Sequence, residues 1–190
     1  MRFLSKVKDL YRAAVRRGSQ SSERATLRGR YAVTCRRRDG SIRWRDIIKN
    51  IVTNEGLDYL LDAGLSGGSQ QANWYVGLLA ASPTPAAGWT KTEVGAADFV
   101  AYTEATLPAW TDAGVSGQSC TNSASKASFA INADAQSIGG AFLASANTKA
   151  VEGGAAIIYS AGAFTGGNKA ADSGDTLEVT ATFTAADDGA

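Results

Sequence analysis

Histidine is absent from all 190 residues. That removes the commonest general base and the commonest metal ligand together. No Ser-His or Cys-His nucleophile can form within this chain. The two cysteines, Cys35 and Cys120, have neither disulfide-framework nor metal-site spacing, and each is expected to act as a small buried hydrophobe. Apolar runs are short of the about 18 residues a membrane-spanning helix needs, so no membrane partner is expected. Charges interrupt MRFLSKVKDLYRAAVRRG every few residues, which does not read as a signal peptide. No GxxxxGK(S/T) phosphate loop is present, nor a GxGxxG following a strand. The carboxylate pairs Asp58 with Asp62 and Asp172 with Asp175 read as a helix surface and a turn rather than as glycosidase-like pairs. Asn168 to Asp175 matches a calcium loop only weakly. The expectation is a non-enzymatic chain with no cofactor and no metal.

Charge is present but segregated. Residues 1–50 hold 15 Lys/Arg against 4 Asp/Glu, a net of +11, and residues 51–190 hold 4 against 14, a net of −10. Two parts with different partners follow from that split. Residues 1–28 are read as an attachment arm, a basic amphipathic helix and linker, and residues 29–190 as the folded domain. Phe3, Leu4, Val7, Leu10, Tyr11, Ala14 and Val15 make an apolar stripe at helical spacing over residues 2–17, flanked by basic residues that include Arg12 and Arg16. Gly18 ends it, and SQSSERATLRG is a polar link. Three readings stay open for the arm: docking on a partner protein, docking on its own domain, or contact with nucleic acid or a membrane surface.

Tyr31, Val33 and Cys35 alternate with Ala32 and Thr34, and Asp39-Gly40 is a strong hairpin signal, with Ile42 and Trp44 on the return strand. The hairpin spans residues 30–45. Arg36, Arg37, Arg38, Arg43 and Arg45 crowd its tip and set up a positive field that calls for an acidic answer. Together with Phe3, Val7, Leu10, Arg12 and Arg16 they are the candidate partner-binding residues.

Residues 54–63 are predicted as one short helix. Asn50, Thr53 and Asn54 are candidate caps, and Leu57, Leu60 and Leu61 fall on one face. Gly64 is expected in the left-handed position past its end, with Leu65 folding back as in a Schellman stop. Downstream, short apolar segments recur: Trp74–Leu79 with Gly77 inside it, Phe99–Tyr102, Ala127–Ile131, Ile138–Leu143, Ala155–Ser160 and Leu177–Phe183. Turn material such as Asp112-Ala-Gly114, Gly166-Gly167 and Asp172-Ser-Gly174-Asp175 separates them. The fold expected is mainly β, an antiparallel β-sandwich or jelly-roll-like domain with a basic N-terminal helical arm and one short internal helix. Trp74, Tyr75, Trp89, Tyr102 and Trp110 serve either as core and interface anchors or as a stacking surface for sugars.

Several blocks occur in order: GRYAVTCRRRDGSIRWRDIIKNIVTNEGLDYLLDAG, WYVGLL, GWTKTEV, FVAYTEATLPAW, TNSASKASFAI, IGGAFLAS and GDTLEVTATFT. In that order and spacing, residues 29–190 resemble a group of tailed-bacteriophage virion structural proteins. The resemblance implies a capsid cement or decoration protein, or a tail or fibre component, and supplies no catalytic residues. It implies the major capsid protein or another virion protein as partner and location in the virion after assembly in the host bacterial cytoplasm, which suits two unpaired cysteines. The glycine-heavy, small-residue composition also points to a homo-oligomer, a dimer or trimer. Nucleic-acid binding through residues 1–50 and carbohydrate binding through Trp89 and Trp110 remain as readings of another class.

Overall fold

The structure, a computed structural model, describes residues 25–150 and 155–187. The predicted helix over residues 2–17, and with it Phe3, Val7, Leu10, Arg12 and Arg16, lies outside the described residues. In chain order the strands are β1 (Ala25–Arg36), β2 (Ile42–Lys49), β3 (Ile51–Val52), β4 (Trp74–Ala80), β5 (Asp98–Phe99), β6 (Ala109–Trp110), β7 (Ser119–Thr121), β8 (Ala127–Ala130), β9 (Gln136–Ala144), β10 (Ile158–Ala163), β11 (Lys169–Ala171) and β12 (Thr176–Asp187). Among the described residues two α-helices interrupt them, α1 (Asn54–Leu61) and α2 (Lys91–Ala96).

The chain is mainly β, and its strands form two packed antiparallel sheets. The first runs β2-β1-β12, with β7 and β8 both pairing with β12. The second runs β3-β10-β9-β4-β5, with β11 also on β9 and β6 also on β4. Alternation builds the first sheet: Tyr31, Val33 and Cys35 of β1 and Leu177, Val179, Ala181 and Phe183 of β12 are buried, and their neighbours face outward. β4 and β9 differ, because consecutive residues are buried in each, so both faces of the second sheet's centre are covered. Gly77 stands opposite Phe142, and any Cβ there would enter the Phe142 ring, the close approach that a glycine within a strand signals.

The two sheets are joined by rings and by polar bonds. Phe183 of β12 meets Trp110 and Tyr159 of the second sheet edge-on, at centroid distances of 5.8 and 5.0 Å, and Tyr31 of its own sheet at 6.3 Å. Tyr159 meets Trp74 at 5.3 Å, and Trp74 meets Tyr59 of α1 at 5.1 Å. The Tyr31 hydroxyl bonds with Ser160, and the Trp44 indole N–H donates to the Ala170 carbonyl at 2.8 Å. Lys169 of β11 pairs with Asp46 of β2 at 3.1 Å.

The helix start follows the sequence reading, and its far end does not. Thr53 is the cap: its hydroxyl accepts the Gly56 N–H at 3.0 Å and donates to the Ile158 carbonyl. The Glu55 carboxylate accepts the Ile158 N–H at 3.0 Å. Gly56 lies against the Tyr159 carbonyl so closely that no Cβ fits. Gly56 and Tyr59, three residues apart, therefore form the face that meets the sheet. Leu57, Leu60 and Leu61, the apolar face named by their spacing, are 43, 38 and 59% exposed. The helix does not stop at Gly64. It widens into a π-helical turn, Asp62–Ser66, and ends at Gly67 in the left-handed region, which leaves Leu65 84% exposed rather than folded back. A second helix, α2, was not anticipated, and Thr90 and Glu93 close a capping box on it.

Phe183→Ala removes three ring contacts at once and should lower the unfolding free energy by about 3–5 kcal/mol. Val115→Ser, at a position 77% exposed, should stay within about 0.5 kcal/mol of the parent. Equilibrium denaturation of both variants checks this; equal losses would contradict the packing.

Candidate functional site

The β1–β2 ribbon carries most of the described positive charge. Its loop, Arg38–Gly40, is closed by backbone bonds from the Arg37 N–H to the Ser41 carbonyl and from the Gly40 N–H to the Arg37 carbonyl, each 2.8 Å. Asp39 accepts the Ser41 N–H at 2.8 Å, and Ser41's hydroxyl and amide hold the Asp39 carboxyl below its usual range. Arg36 then pairs with Ile42, and Cys35 with Trp44. This bulge leaves Arg43 without a partner across the ribbon and re-aims its side chain, as bulges do.

Arg43 reaches Asp172 and Asp175 at 2.7 Å each. Both acids belong to the turn before β12, shaped by Gly174 at φ 87°. Arg36 pairs with Glu178 at 3.4 Å, and Lys126 shares that carboxylate at 3.2 Å. The acidic answer that the hairpin calls for thus comes, for Arg36 and Arg43, from this same domain. Cys35 lies beneath, its thiol 3.8 Å from Asp175, and burial pushes it up to about 12. It is a packing residue with no thiolate at neutral pH. Burial likewise lifts Cys120 to about 11.

Arg37, Arg38 and Arg45 are exposed and have no carboxylate partner among the described residues. Arg37 only donates within the loop, to the Ser41 hydroxyl and the Ile42 carbonyl at 3.3 Å. At the other end of the ribbon lies a basic group that the sequence reading missed. Arg30 stands directly opposite Lys49, and Arg28 follows two residues along on the same outward face. With Ser119, Thr182 and Thr184 these cations line a cavity of about 760 Å³ whose lining contains no carboxylate. Counting back from Asp39-Gly40 was the available signal for the Arg30–Lys49 opposition.

The aromatic residues considered for sugar stacking are used in packing. Trp110 donates its N–H to the Ala181 carbonyl at 3.2 Å and meets Phe183, while Trp89 is partly buried against the core. Leu57, Leu60, Leu61 and Leu65, beside Asp58 and Asp62, form an exposed apolar surface. Among the described residues no group of three or more His, Cys, Asp or Glu converges as a metal site, and no helix is long and apolar enough to cross a membrane. No protein-family model matches the chain, and no curated protein or solved structure matches it significantly.

The backbone N–H of Ala135 and the guanidinium of Arg43 hold the Asp172 carboxyl below its ordinary range. A carboxyl depressed in the folded state adds stability above its unfolded value, about pH 4, and loses it as pH falls through the lower folded value. Melting temperature should therefore be flat from pH 5 to 7 and fall on acidification, less steeply in Asp172→Asn. Arg43→Ala should lower it at pH 7 by roughly 5 °C, because Asp175 stays buried without its counter-ion. An Arg43→Ala melt indistinguishable from the parent would remove this pair from the account.

Proposed function

We propose that this chain is a non-enzymatic structural protein of a bacteriophage particle, a capsid cement or decoration protein attached through its basic N-terminal portion. The carrying observation is the ribbon tip, where Arg37, Arg38 and Arg45 are exposed without carboxylate partners among the described residues, on a chain whose residues 51–190 carry a net −10. A cationic projection on an otherwise acidic domain suits an acidic protein lattice and repels further copies laid on the same face. The ordered sequence blocks that resemble phage virion proteins support the same reading. Planar guanidinium forks match carboxylate partners, and the stripe Phe3-Val7-Leu10 adds an apolar seam inside a charged rim.

Rim pairs are individually weak, about 0–1 kcal/mol. The apolar stripe therefore supplies most of the affinity, and the arginines supply register and association rate. Deleting residues 1–18 should release the protein from particles while the sandwich stays folded by circular dichroism. Arg37→Glu with Arg38→Glu should weaken attachment about three- to thirtyfold at low salt, and less at high salt. Full occupancy of particles by the truncated protein would end this proposal.

In the same reading the domain self-associates as a dimer or trimer, and the leucines on α1 and its π-helical turn supply the contact. Leu61→Ser with Leu65→Ser should reduce the sedimenting mass toward a single chain. If the parent protein already sediments as a single chain at assembly concentrations, the self-association fails.

A further inference from the structure

We infer that the cavity at the base of the β1–β2 ribbon is a binding site for a small, multiply charged anion, one bearing clustered phosphate or carboxylate groups. This goes beyond the structural role proposed above and does not depend on it.

The cross-strand geometry carries the inference. Arg30 and Lys49 face one another in an antiparallel pair, on the outward face of the first sheet. Like charges in that arrangement destabilise the pairing, and proteins ordinarily place an acid there. Arg28 adds a third cation on the same face. Among the described residues no carboxylate pairs with any of the three. The contrast with the other end of the ribbon is direct, since Arg36 and Arg43 do have carboxylates from this domain.

The surroundings add donors and shape. Thr182 and Thr184 project to the outward side of β12, because Ala181 and Phe183 point inward. Ser119 stands opposite Thr184 on β7. Three cations and the hydroxyls of Ser119 and Thr184 around one concavity offer donors to oxygen atoms on several sides, with Arg forks for bidentate contacts and Lys49 as a point charge; the Thr182 hydroxyl is shared with Thr121 at 2.9 Å. A volume of about 760 Å³ lies within the range of small-molecule sites. Three cations gathered at one end of a ribbon also favour a compact ligand over a duplex, which needs an extended track of phosphate contacts.

The probes are sodium tripolyphosphate and sodium citrate, titrated calorimetrically into the full chain at low salt, with sodium chloride matched for ionic strength. The variants are Lys49→Glu, Arg30→Gln with Lys49→Gln, and a charge-matched control, Lys91→Glu, in the first turn of α2. Tripolyphosphate or citrate should bind saturably and raise the melting temperature, and whichever binds tighter identifies the ligand's acid groups. Lys49→Glu should weaken that binding at least about tenfold. It should also raise the melting temperature without any anion, because Arg30 gains an opposite charge across the ribbon. Lys91→Glu should bind as the parent does. An equal loss in Lys91→Glu would reduce the effect to net charge and overturn the site. So would an absence of binding beyond matched sodium chloride. Displacement of the probe by a duplex oligonucleotide at equal phosphate concentration would reassign the face to nucleic acid and overturn it as well.

Discussion

Phe183 sits where the two sheets meet, and its edge-on contacts with Trp110 and Tyr159 join them, while Tyr31 braces it within its own sheet. Small residues dominate this chain, so few side chains reach far across the interior. Large rings therefore carry a disproportionate share of the buried area, and edge-to-face geometry adds directional attraction beyond burial. From Phe183 the contacts run through Tyr159 and Trp74 to Tyr59, so the placement of α1 depends on the same set of rings. Tyr31 ties the opposite side of Phe183 to β1 and, through Ser160, to β10. The ribbon that carries the positive charge is thus anchored by the core as well as by ion pairs near its tip.

That anchoring decides which charges are structural and which are available. Arg43 and Arg36 reach acids of β12 and the turn before it, so they fasten the ribbon to the sheet. Arg37, Arg38 and Arg45 make no ion pair with those acids, although the Arg38 stem lies against Gly174 of the same turn, and Arg28, Arg30 and Lys49 lie at the other end of the ribbon. A run of like charges in sequence has become two cationic groups at the two ends of the ribbon, with Arg36 and Arg43 neutralised within the first. Attachment is assigned to the first group and anion binding to the second, and salt should weaken both.

Much of this was legible in the sequence. The alternation of β1 and β12, the Asp39-Gly40 turn, the Thr53 cap and the close approach at Gly77 each follow from local chemistry. The exposure of the α1 leucines was not legible, because three-and-four spacing names a face without naming what it meets. Gly56 and Tyr59 offered a second face that fits a strand backbone more closely. Strands β3, β6, β7 and β11 are two or three residues long and exist only through their partners, so no periodicity marks them. α2 had a visible signal, the Thr-Lys-Thr-Glu capping box, to which the sequence reading assigns no element. A two-residue turn at Asp39-Gly40 would place Arg30 opposite Lys49. The actual loop is one residue longer, and the bulge at Arg43 restores that register. The cavity itself was not legible, because Ser119, Thr182 and Thr184 arrive from strands distant in the chain.

The central claim is that a ring-braced sandwich presents its basic ribbon tip to an acidic protein surface on a phage head. A reconstruction of intact particles at side-chain detail tests it most directly. The account predicts this chain on the head exterior, with Arg37, Arg38 and Arg45 facing carboxylates of the underlying lattice. Finding the chain there with the ribbon tip turned to solvent, or finding it only elsewhere in the particle, would contradict it.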